Sequence, residues 1–197
     1  MRQHILHILR ELTIAILALP VGAISLLLAM TPSFADVEFK KLEATLWITI
    51  TKTISKTDAT LIAQHVGDFE YGDVHVWLDS LGGDVDAAMQ TGRLIRANDV
   101  KVSVARYSKC YSACALVYIA GVSRESLGAV GLHRPYFAST PQSRQTIERQ
   151  APLMLQQLKS YVQEMGITDS FYQEMVNAEP IEHQIISRRQ HKKIGSF

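Results

Sequence analysis

Val74-His75-Val76-Trp77-Leu78-Asp79-Ser80-Leu81-Gly82-Gly83-Asp84 decides the fold. Its first five residues are a short apolar run fit for a central strand. Asp79-Ser80-Leu81-Gly82-Gly83 interrupts that run, and Asp84 is a residue type that caps helices. From Asp84 to about Ala97, Val85, Ala88, Met89, Leu94 and Ile95 form the apolar stripe of a helix. Residues 101–105 (KVSVA) then read as a second strand. Strand, helix and strand in this order call for a crossover, and a crossover makes the two strands parallel.

The pattern extends in both directions. Residues 44–53 (ATLWITITKT) alternate apolar and polar and predict a strand, and Ser55 opens a helix with Leu61, Ile62 and Val66 near one face. Gly67-Asp68 and Tyr71-Gly72-Asp73 mark turns. Further on, residues 111–120 are small and apolar and read as a buried helix. Gly131-Leu132-His133 looks like the end of a short strand. Residues 141–166 read as a long polar-rich helix, 167–177 as another with Thr168 as its cap, and 184–186 as a last strand. The fold class expected is α/β with parallel pairing in one domain.

The N-terminus stands apart. Arg2 and Arg10 precede an apolar run from Leu12 to Met30, broken only by Pro20, Gly22 and Ser25. Small residues Ser33 and Ala35 follow. This order predicts a secretory signal peptide over 1–35, cleaved after Ala35, with the folded domain over 36–197. An uncleaved anchor is the other reading, because the run is just long enough to span a bilayer. Either way the domain is expected outside the cytoplasm, periplasmic or secreted, with membrane contact only if the segment stays attached.

Composition narrows the function. The chain has 197 residues, 47% hydrophobic and 20% charged, which excludes a disordered tail, a collagen-like fibre and a multi-span membrane protein. Lys+Arg is 20 against Asp+Glu 19, a formal net charge of +1, so no nucleic-acid partner is expected. Two cysteines form no zinc pattern, and neither a metal nor another cofactor is expected.

Three strings carry chemistry. Gly82-Gly83 lies between a strand and a helix, where backbone N–H groups can approach a ligand; the plainer reading is a tight turn. In Lys109-Cys110-Tyr111-Ser112-Ala113-Cys114-Ala115, Ser112 opens a helix. A nucleophile there gains from the helix dipole and from free amides, while the plainer reading is an N-cap. In Gly131-Leu132-His133-Arg134-Pro135, His133 ends an apolar run and is a natural general base for a serine. Cys110 and Cys114 flank Ser112. Outside the cytoplasm they are expected to pair, and a bridge would stiffen the turn that carries the serine; two buried thiols are the alternative.

Together these strings resemble the Clp-type serine peptidases of the Clp/crotonase group, from about Ala44 to the C-terminus. Ser80-Leu81-Gly82-Gly83 is similar to that family's glycine-rich turn, with Leu81 where proline is usual. The resemblance implies stacked β-β-α units with C-terminal helices, a catalytic Ser112, the base His133, and an oxyanion hole from Gly82, Gly83 and Ala113. It also implies an acid late in the chain. Glu182, just before residues 184–186, stands where the family's acid falls, ahead of Glu179, Glu174 and Asp169. The expected activity is hydrolysis of a peptide or protein substrate, with homo-oligomers formed through helix 141–166. Lys109-Cys110 departs from the small residues usual before the serine, and an ATPase partner is not expected of an exported protein. A non-catalytic binding or scaffold protein that keeps the fold is the rival reading.

Overall fold

The structure is a computed structural model that describes residues 37–69, 72–136, 143–179 and 184–186. All of them belong to the compact unit Phe34–Phe197. The expected leader 1–35 lies outside the described residues. The strands are β1 (Val37–Leu42), β2 (Thr45–Ile54), β3 (Asp73–Gly83), β4 (Lys101–Val104), β5 (Lys109–Tyr111), β6 (Ser123–Ser126), β7 (Ala129–Leu132) and β8 (Gln184–Ile185). The helices are α1 (Lys56–Gly67), α2 (Val85–Ala97), α3 (Ala113–Ala120), α4 (Arg144–Glu164) and α5 (Asp169–Asn177). The class is α/β, as the crossover pattern predicts.

Parallel pairing joins β2 to β3, β3 to β4, β4 to β6, β3 to β5 and β5 to β7. Among the described residues, antiparallel pairing is confined to the edges, β1 against β2 and β8 against β7. The long strand β3 serves two sheet portions. Its first half pairs with β4 through His75–Lys101 to Trp77–Ser103, and its far end meets β5 at Ser80–Cys110.

Alternation sets the two faces. Leu46, Ile48, Ile50, Val76 and Leu78 are buried on one side, beneath the helices. Residues of opposite parity stack on the other: Trp47 lies 4.6 Å from His75 and 4.8 Å from Trp77, centroid to centroid. Helix α3 is the centre of the core, with all eight of its residues buried. A helix so apolar cannot present a wet face, so it is enclosed by other elements. Arg96 grips its C-terminal end, donating to Ala120 O at 2.8 Å and Ile119 O at 3.2 Å, and ties it to the end of α4 through Met165 O at 3.0 Å. The Tyr161 hydroxyl donates to Leu116 O at 2.8 Å from α4.

Four features depart from the sequence reading. Residues 109–111 form strand β5, so the helix expected over 111–120 begins only at Ala113. A hairpin strand, β1, precedes β2; its outward residues are charged, which masks its alternation. Strand β6 is also unforeseen, since Ser123-Arg124-Glu125-Ser126 has no apolar residue and is specified by its pairing with β4. Strand β3 runs through the glycine turn to Gly83, with a register shift between Thr51 and Thr53 that absorbs the bend.

Candidate active site

The site forms where β3, β5 and β7 end. Tyr111 pairs with Gly131, and the Ser112 amide donates to Gly131 O at 2.9 Å. Ser112 and His133 therefore leave adjacent parallel strands at the same end of the sheet. In open parallel sheets this carboxyl end is where ligands bind.

Ser112 is half-buried and has φ 56° and ψ −126°. A non-glycine residue with positive φ is strained, and such strain is found at functional sites. A capping serine would be extended and would accept a hydrogen bond from the first turn. Ser112 does neither: its side chain makes no cap bond. Ser112 holds the N-cap position of α3 without a side-chain cap. It sits on a sharp strand-to-helix turn, with the amides of Ala113 and Cys114 in the first turn of α3, where no intrahelical acceptor exists.

The turn is held on two sides. Cys110 and Cys114 form a disulfide with 5.1 Å between Cα atoms, so the expected bridge brackets Ser112. Gly82 lies on the other side, at φ 108°. A Cβ built on Gly82 would come within 2.7 Å of Ser112 Cβ and 3.0 Å of Ala113 N, so only glycine permits this approach. The Gly82 amide donates to Ser80 Oγ at 3.1 Å, and the Ser80 hydroxyl in turn donates to Lys52 O. Of the three oxyanion candidates, Gly82 thus has its amide engaged within the turn. At Gly83 the neighbouring bond to β2 is made by Asp84, whose amide donates to Ile54 O at 3.0 Å. Ser80 is a clasp that sequence reasoning missed. Ser80 is 2% exposed, and its signal in the sequence is a serine two residues before Gly82, the spacing of a serine turn.

His133 is 6% exposed, and its Nδ1 lies 2.9 Å from Arg134 O. A carbonyl oxygen only accepts, so Nδ1 is the protonated nitrogen in this contact. In the neutral ring, Nε2 then carries the lone pair, which is the tautomer a general base requires. Among the described residues no hydrogen bond joins the Ser112 and His133 side chains. Glu182 lies outside the described residues. Of the other acids weighed, Glu179 pairs with Arg134 at 3.1 Å, Asp169 pairs with Lys159 at 3.6 Å, and Glu174 lies on α5. Lys109 is exposed, and its amide donates to Asp79 Oδ1 at 2.9 Å.

Beyond His133 lies an apolar pocket of about 360 Å³ between the segment at Arg134 to Tyr136 and α4. The His133 and Tyr136 rings are 5.7 Å apart, so one wall of the pocket touches the candidate base. No cluster of three or more metal-ligating side chains occurs among the described residues. Compared with models of known protein families and with curated proteins, the chain matches none.

Proposed function

We propose that the chain is an exported serine hydrolase of the Clp/crotonase type, acting on peptides. Ser112 attacks the carbonyl carbon, His133 Nε2 takes its proton and returns it to the leaving amine, and the amides of Gly83 and Ala113 face the oxyanion. Glu182 steadies the imidazolium that forms in between. The observation that carries this reading is the conformation of Ser112, strained and uncapped on a strand-to-helix turn. The disulfide is compatible with an oxidising compartment, and we read residues 1–35 as the signal or anchor that delivers the domain there. No helix among the described residues is long and apolar enough to cross a membrane. Leu153, exposed on α4 and outside the lining of the pocket, supports our placing of a homo-oligomer contact on that helix.

A fluorophosphonate probe tests the reading, since it esterifies only an activated serine. The full chain should be labelled, and Ser112→Ala and His133→Ala should abolish the label. Labelling that persists in Ser112→Ala overturns the proposal. The scaffold reading has one observation in its favour, the missing hydrogen bond between Ser112 and His133. Such bonds are often long in unliganded enzymes and tighten only with substrate. A folded, oxidised chain that takes up no probe would leave the scaffold as the function.

A further inference from the structure

The pocket beside His133 has a composition that points to its ligand. Pro135, Tyr136, Ala151, Met154 and Leu155 make an apolar wall. Arg134 is the only charged residue lining it among the described residues. The guanidinium is held at the surface by Glu179, with Nη2 to Oε2 at 3.1 Å and the two side chains 46% and 65% exposed. An ion pair this open contributes little to stability. A second carboxylate can therefore take Glu179's place at small cost, provided that something else anchors its owner. The apolar wall is that anchor. At about 360 Å³ the cavity is near the lower end for small-ligand pockets and suits one side chain rather than an extended segment.

We propose that this pocket receives the apolar last residue of a peptide while Arg134 pairs with its terminal carboxylate. The substrate class is then peptides with a free, apolar C-terminus. This rests on the hydrolase reading for its purpose, though not for its test. Arg134 acts as a specificity residue: it lines the same pocket as Tyr136, whose ring lies 5.7 Å from that of His133, so a terminus held in the pocket is brought to the side of the base. The shared chemistry, an apolar body with a carboxylate, also describes a fatty acid. The peptide is the source we commit to, because the pocket adjoins a site we read as peptide-cleaving.

The test measures binding, by fluorescence anisotropy, to the full chain carrying Ser112→Ala, so that turnover is irrelevant. The probes are a labelled hexapeptide ending in leucine as the free acid, the same peptide as its C-terminal amide, and octanoate as competitor. The acid should bind about tenfold tighter than the amide, as charge-assisted bonds from arginine outweigh neutral ones. Arg134→Gln should remove that difference, and Arg134→Lys should keep part of it. Glu179→Gln, which frees the guanidinium, should tighten the acid alone. Ala151→Phe should weaken acid and amide together by filling the pocket. Equal binding of acid and amide, no binding of either, or a preference that survives Arg134→Gln overturns the proposal. Octanoate competing as well as the acid peptide overturns the peptide source. Because Ser112 is absent from this test, a failed probe-labelling experiment and a failed binding experiment remain distinct results.

Discussion

At Gly82 a single hydrogen atom decides whether the turn and the serine can meet. Alanine there would place Cβ 2.7 Å from Ser112 Cβ at a φ of 108°. Gly82→Ala is expected to destabilise by more than about 1 kcal/mol and to abolish probe labelling even where circular dichroism finds the chain folded. Alanine at Gly67, which meets nothing within 4 Å, serves as the control and should label normally. His133 supports a second expectation. Its Nδ1 already faces Arg134 O at 2.9 Å, so under the proposed mechanism Glu182 would act through its charge more than through ring orientation. For a triad carboxylate whose loss also yields the wrong tautomer, turnover falls roughly 10⁴-fold. Glu182→Gln should therefore cost less than that full factor, while Ser112→Ala and His133→Ala should each cost at least as much. Asp169→Asn and Glu174→Gln should stay near wild type in the same hydrolysis assay. If one of them abolishes activity and Glu182→Gln does not, the acid is reassigned.

The strand-to-helix unit from β5 through α3 is the element on which the site depends. It is short, with three strand residues and an eight-residue helix, and it is secured at both ends. The disulfide closes the front and Arg96 the rear, where its charge also complements the helix dipole. Replacing both cysteines by serine should cost about 2 kcal/mol through loop-closure entropy, or roughly 4–8 °C in Tm. Labelling of Ser112 should fall at temperatures well below that Tm, because the turn loses a constraint that the rest of the fold does not replace. Unchanged labelling up to the melting transition would count against this role. Half of this element was legible in the sequence: small apolar residues 111–120 read as a buried helix, and two cysteines around a serine suggested the bridge, but the three-residue strand β5 that takes Tyr111 was not foreseen. Helix α2 was readable, down to Asp84 accepting from Ala87 N at 2.7 Å. Strands β1 and β6 were not, because edge and solvent-facing strands take their identity from a neighbour rather than from their own pattern. The pocket was hidden for a related reason. Its walls come from Pro135 and Tyr136 on one side and from α4 on the other, and no local spacing brings them together. Helix α4 also carries Pro152 in its interior, where local preference alone would have broken it.

For the whole molecule, burial couples stability to pH through the outer face of the sheet. Burial, reinforced by Lys101, holds the His75 imidazole below its usual 6.5. The unfolded chain then binds the proton more readily than the folded one. This contribution is complete above pH 6.5 and is lost as pH falls below it. Unfolding in urea should show lower stability at about pH 5.5 than at about pH 7.5, and His75→Gln, which cannot titrate, should reduce that difference. A slope unaltered by His75→Gln would place the effect elsewhere. The sheet itself has a further consequence. Strand β3 meets β5 through one register pair, Ser80–Cys110, while it meets β2 along nearly its whole length. A junction one rung wide is a seam, and the glycine turn lies on one side of it and the serine on the other. Amide hydrogen exchange should therefore resolve two groups of protons, with β5 and β7 exchanging together and β2 with the first half of β3 exchanging more slowly. A ligand that spans the seam would slow the faster group alone, giving substrate engagement a readout that needs no chemistry.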